Sequence, residues 1–323
     1  MESLPRIICL GEILFDCLAD LLGVGFEQVQ SWTPYPGGAL ANVACAITKL
    51  GTPAAFIGCI GSDSPGNDLI QLLESTGVNT QGVQRHHTAP TRQVYVLRSE
   101  TGDRTFAGFG HLPPDGFADA FVESSQLPEK LFQNAEFLVL GTLALAYPTT
   151  RAAIFRALEL AELYHVKVVL DVNWRPMFWL DETEAPGLIK QLWQWVDFVK
   201  LAEEEAEWLF KTTDPGAIAH RLDTVEGVIV TRGNGEVSYC LNDNEGKVTP
   251  FTFQVVDTTG AGDAFLAGFL HQLCQQKISS LNDAETVKEI ITYACAVGGL
   301  TTTKIGAIAA QPTSDEVTAF LQK

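Results

Sequence analysis

Long apolar runs are missing from this 323-residue chain. No stretch reaches the ~18 continuous apolar residues that a membrane-spanning helix needs. The start, Met1-Glu2-Ser3-Leu4-Pro5-Arg6, opens on an acid and leads only to the short run Ile7–Leu10 before Gly11-Glu12. A signal peptide, with its basic start and longer apolar stretch, is therefore not expected. Positive charge is equally scarce: 21 Lys and Arg stand against 39 Asp and Glu, a formal charge of −18. Such a field repels phosphate backbones and anionic lipid, which excludes nucleic acid and membrane surfaces as partners. A small anionic ligand stays compatible, because a few local donors can hold one. Cysteine gives no framework either. The residues Cys9, Cys17, Cys45, Cys59, Cys240, Cys274 and Cys295 are odd in number, form no C-x-x-C and mostly sit in apolar surroundings. A structural zinc site has no support, and a reduced, cytoplasmic setting is expected. Neither G-x-x-x-x-G-K-[ST] nor G-x-G-x-x-G occurs, so P-loop and dinucleotide readings lose their anchor.

What is present describes an ordered globular chain, 46% apolar and 19% charged. The length fits one large domain or two modest ones, and no linker or repeat divides it. A single domain over residues 1–323 is expected. Short apolar runs (Ile7–Leu10, Ala54–Ile57, Phe137–Leu140, Val166–Val172, Phe198–Leu201, Val228–Thr231) alternate with helical patterns. The helical stretches are the Leu40–Leu50 region ending at Gly51, then Ala152–Tyr164, Gly187–Trp195 and Glu203–Phe210. Three helices close the chain near Asp263–Gln275, Asp283–Thr303 and Ser314–Leu321. Apolar strands alternating with helices predict an α/β fold, a mostly parallel sheet covered on both faces.

Two segments break that rhythm. Thr91–Arg98 and Arg104–Phe109 predict a hairpin turning at Glu100-Thr101-Gly102-Asp103, and Ile13–Tyr35 is irregular and extended. Together, about residues 13–35 and 91–110, they predict a small β-element over the main sheet. Tyr95, Leu97, Phe106 and Phe109 read as an exposed apolar edge, so a homodimer is expected. Thr231–Phe253 predicts another hairpin, turning at Asn242–Gly246.

The chemistry concentrates in Val255-Val256-Asp257-Thr258-Thr259-Gly260-Ala261-Gly262-Asp263-Ala264-Phe265. An apolar run enters Gly260-Ala261-Gly262, and a helix follows with Phe265, Leu266, Phe269, Leu270 and Leu273 on one face. Small residues let backbone N–H groups approach a ligand, and the helix start adds positive partial charge, which makes an anion cradle. Asp263, in the first turn, could take the proton of an attacking hydroxyl. In Pro36-Gly37-Gly38-Ala39-Leu40-Ala41-Asn42 two glycines precede a helix, and the Asn42 amide suits a sugar hydroxyl.

These two segments resemble the signatures of the ribokinase-like (pfkB) family of carbohydrate kinases. Gly11-Glu12-Ile13-Leu14-Phe15-Asp16, Asp171–Pro176, Lys200–Glu205 and Leu300–Ala307 look like the fructokinases within it. The resemblance implies a three-layer fold with a β lid and ATP-dependent phosphorylation of D-fructose to fructose 6-phosphate. It implies Asp263 as the base, with Gly260, Ala261 and Gly262 stabilising the transferring phosphoryl group. Asp16, Gly38 and Asn42 would bind sugar hydroxyls, with Arg175 and Arg104 as further candidates at the sugar. Thr231 and Gly233 would lie by the nucleotide. Glu205 would organise magnesium through water, and Asp257 and Thr259 would contribute to a monovalent-cation site. ATP, magnesium and potassium are thus the implied cofactors. Four departures stand out: Ala202 replaces the Asn of Asn-x-x-Glu, Gly235 comes one place early after Thr231, Cys295 occupies a position often held by Asn near the base, and Ala310 replaces a hydroxyl found in some cation sites. A ribokinase, a 2-keto-3-deoxygluconate kinase and a fructokinase-like protein that binds without catalysis remain as alternatives.

Overall fold

Every side chain of β1 (Ile7–Leu10) is buried, yet Ile7 and Cys9 join one hydrophobic cluster while Ile8 and Leu10 join another. Strand side chains alternate between faces, so a strand apolar throughout must be covered on both. The same split recurs along the central sheet: Phe137 and Val139 fall to the first cluster, Leu138 and Leu140 to the second. The computed structural model describes residues 4–99 and 104–322, and the expected turn at Glu100–Asp103 lies outside them.

The remaining strands are β2 (Leu14–Ala19), β3 (Trp32–Gly37), β4 (Ala54–Gly61), β5 (Asn79–His86), β6 (Gln93–Arg98) and β7 (Arg104–Gly108). They continue as β8 (Phe137–Gly141), β9 (Lys167–Asp171), β10 (Phe198–Ala202), β11 (Gly227–Thr231), β12 (Val237–Leu241) and β13 (Asn244–Val248). Nine of them form one sheet in the order β13-β12-β11-β10-β9-β8-β1-β4-β5, parallel from β11 to β5 and antiparallel at the β12–β13 edge. One face carries the helices Ala39–Lys49, Ala261–Gln276 and Ala284–Thr301; the other carries Pro148–Tyr164. The α/β expectation holds, with three layers.

The segments that broke the rhythm form a second sheet of four strands, β3-β2-β6-β7. Its base is fixed by Arg92, whose side chain is fully buried. The guanidinium meets Asp119 through two hydrogen bonds (2.7 and 2.9 Å), donates to the Tyr147 hydroxyl at 2.9 Å, and lies over the Phe117 and Phe109 rings. Breaking such a pair by removing one partner costs about 3–5 kcal/mol, so the entry to β6 is anchored in the main body. Phe109 is consequently core and not exposed edge, and Tyr95 packs edge-on to Trp32 and Phe26. The apolar edge expected to drive dimerisation is smaller than the sequence implied.

Two further expectations are corrected. The helix read over Gly187–Trp195 is a six-residue helix, Ala185–Lys190, followed by a separate tight turn at Trp193–Trp195. There Trp195 N–H bonds the Leu192 carbonyl, so the chain tightens to bury Leu192 and feed β10. The turn read at Asn242–Gly246 is only Asn242-Asp243, both with positive φ (44° and 64°). Two such residues close a tight hairpin, and Asn244–Gly246 already pair with β12.

Candidate active site

Gly260 caps the helix Ala261–Gln276 with φ +76°, and a Cβ there would stand 2.8 Å from the Ala307 side chain. Only glycine allows both the left-handed turn and the close packing. The turn brings the first N–H groups of the helix to the carboxyl end of the sheet, where open α/β folds hold their ligands. The Ala261 N–H already donates to the Thr258 carbonyl at 3.2 Å, which leaves Gly260, Gly262 and Asp263 as the cradle's donors.

Asp263 is half-buried in the first turn and accepts a hydrogen bond from Asn42 Nδ2 at 2.8 Å. Asn42 sits on the helix Ala39–Lys49, with its carbonyl accepting Gln311 Nε2 (2.8 Å). Its buried side-chain oxygen has no protein partner among the described residues. Burial and the neighbouring Asp171 push Asp263 up to about 6, against the Asn42 bond, Lys200 and Arg175. An amide read as a sugar ligand is thus also the brace of the carboxylate.

Beneath the cradle lies a pair that sequence reasoning did not single out. Asp171 ends β9 and Lys200 is its register partner on β10, so both side chains point to one face. Lys200 Nζ bonds both Asp171 oxygens, at 2.9 and 2.8 Å, and lies 3.5 Å from where a Gly262 side chain would stand. A lysine inside the apolar run Phe-Val-Lys-Leu was the available signal, since buried charge needs a partner.

On the opposite wall Gly38 has φ +100°, and a Cβ there would come within 2.5 Å of the Glu12 carbonyl. Glu12 Oε1 accepts the Ala39 N–H at 2.6 Å, which ties the double glycine to β1's outlet. Asp16, on β2, lies against Gly37, whose Cβ would stand 2.7 Å from its Oδ2. Burial raises Asp16 to about 6, opposed by Arg104 and Arg175 and reinforced by Asp257 and Asp263. Arg175 is exposed and donates to the Trp174 carbonyl at 2.9 Å, within electrostatic reach of Asp16 and Asp263. Arg104, offered as a sugar ligand, pairs with Asp257 at 2.9 Å and lies within electrostatic reach of Asp16.

Glu205 is buried at the start of the helix Glu203–Phe210, and its two oxygens accept the Ala202 and Trp174 N–H groups at 2.8 and 2.5 Å. Each oxygen keeps one lone pair, enough to hold a metal's water. No group of three or more metal-ligating side chains occurs among the described residues. Thr231 ends β11 with its hydroxyl on the Leu201 carbonyl (3.3 Å), and Gly233 follows with φ +41°. Both lie at the sheet's carboxyl end, and no hydrogen bond joins either to the Asp263 cluster among the described residues.

The description "pfkB family carbohydrate kinase" belongs to a family model that matches residues 4–314. This chain belongs to that family. Among its relatives, probable fructokinase-5 of Arabidopsis thaliana is 34% identical over 316 residues, 97% of this kinase and 96% of that protein. A fructokinase of Xylella fastidiosa solved with bound ATP is similar at 30% identity and TM-score 0.88, over 98% of each chain. A double mutant of the Vibrio cholerae O395 fructokinase, solved with fructose, ADP and a potassium ion, is similar at 29% identity and TM-score 0.85, over 99% of each.

Proposed function

We propose that this kinase transfers the terminal phosphoryl group of ATP to D-fructose, giving fructose 6-phosphate and ADP. The observation that carries the reading is Asp263, half-buried and braced by Asn42 in the first turn of the glycine cradle. The full-length similarity to fructokinases supports the sugar. Asp16, Gly38 and Asn42 orient the sugar so that its 6-hydroxyl faces Asp263. As the oxygen attacks in line, its proton passes to Asp263, the new O–P bond forms and the bond to ADP breaks. N–H groups of the cradle take the charge on the transferring group. Glu205 would hold a water of nucleotide-bound magnesium, which would supply neutralisation of phosphate charge. The small sheet closes over the sugar as a lid of the single domain and excludes water, which spares ATP from idle hydrolysis. Thr231 and Gly233 lie beside the nucleotide. A homodimer and a reducing, cytoplasmic setting complete the proposal; seven buried free cysteines support the latter.

The test is ADP release with ATP and magnesium on fructose, ribose, glucose and 2-keto-3-deoxygluconate. Fructose-selective turnover is expected. Selective turnover on another sugar would keep the chemistry and replace the substrate, and silence on all four with ATP still bound would leave a binding protein.

A further inference from the structure

The family resemblance assigns Asp257 and Thr259 to a monovalent-cation site, and the Vibrio cholerae relative holds a potassium ion. In this chain those side chains are already engaged. Asp257 Oδ1 accepts the Thr259 N–H at 3.0 Å and the Thr259 hydroxyl at 2.7 Å. Its Oδ2 accepts the Gly306 N–H at 3.0 Å and Arg104 Nη2 at 2.9 Å. The other Arg104 nitrogen donates to the Thr259 hydroxyl oxygen. A carboxylate offers about four lone-pair sites, and here four donors meet them. A bare cation needs free lone pairs and would also face a guanidinium within contact distance. The side-chain donor set therefore does not fit a monovalent ion.

The two ends of the contact belong to different parts of the fold. Arg104 opens β7 on the small sheet, while Asp257 and Thr259 lead directly into Gly260. We propose that the Arg104 guanidinium, brought in by the small sheet, is the cation that completes the anion cradle in place of a potassium ion. The counter-charge at the cradle is then carried by the small sheet, so the position of the lid and the assembly of the cradle are coupled. The turnover arm of the test rests on the proposed kinase activity; the ion-binding arm does not.

The experiment compares the wild type with Arg104→Met in potassium chloride and in tetramethylammonium chloride, with thermal unfolding as the check on folding. Thallium NMR, with thallium ion as a potassium surrogate, follows ion binding in the presence of fructose and a non-hydrolysable ATP analogue. The wild type is expected to turn over equally in both salts and to leave the thallium line unbroadened. The variant is expected to lose about tenfold or more in tetramethylammonium, to recover with potassium, and to broaden the thallium line. Potassium activation or thallium binding in the wild type would overturn the proposal, as would full activity of the variant in tetramethylammonium. A wild type silent on sugars in both salts would instead fault the proposed activity, and the thallium comparison then decides the cation alone.

Discussion

Asp263 must be ionised to take a proton, so its elevation to about 6 sets the acid side of the pH profile. Sugar kcat/KM at saturating magnesium-ATP is expected to fall as pH drops through that value, about tenfold per pH unit below it. Asp171 is the largest charge raising Asp263. Asp171→Asn removes that repulsion while Lys200 keeps its charge, so the limb should move to lower pH; an unmoved or higher limb would discard the electrostatic link. Asp263→Asn should lower kcat by several orders of magnitude and leave ATP affinity by calorimetry nearly unchanged. Near-full activity of that variant would remove Asp263 from the chemistry. These residues differ in how far the sequence announced them. Asp263 was legible because its glycines, helix start and carboxylate are contiguous. Asp171 and Lys200 were not, because they are 29 positions apart and meet only through the register of β9 and β10.

At the scale of elements, the alternation of buried strand and amphipathic helix could be read wherever the run was apolar on both faces. β5 escaped because Asn-Thr-Gln-Gly-Val-Gln-Arg-His has little strand preference; its ladder is lent by β4, which it pairs from the sheet's outer edge. The helix Ser64–Thr76 went unassigned although Asp63 caps it, accepting the Gly66 N–H at 2.9 Å, and Gly77 stops it in the left-handed region. Its apolar stripe is thin, with Leu69 and Leu73 buried. The start of Glu203–Phe210 offers a sharper test of local reasoning. Ala202 occupies its N-cap with extended backbone and no side-chain acceptor. Ala202→Asn supplies one and should raise stability by about 1 kcal/mol in urea unfolding. A midpoint unchanged or lowered would show that the Glu204 and Glu205 N–H groups gain nothing from a side-chain cap.

For the whole molecule, the smaller of two sheets is tied to the main body through Arg92 at its base and Arg104 at its rim. The sequence located both segments of the smaller sheet but not their anchoring, since the partners of Arg92, Asp119 and Tyr147, lie far along the chain. The proposed dimer should sediment as a single species near twice 35.1 kDa at micromolar concentration; a monomer there would remove the partner copy from the scheme. The seven thiols carry a different consequence. All are buried, and burial holds Cys45, Cys59, Cys274 and Cys295 near 12, where almost no thiolate exists at neutral pH. An alkylating reagent therefore meets a reactive sulfur only when the chain opens around it. Labelling followed by mass spectrometry becomes a position-resolved clock of opening, with Cys17 in the small sheet expected to react ahead of Cys9 in the central one. Equal rates at the two sites would mean that the lid and the body come apart as one.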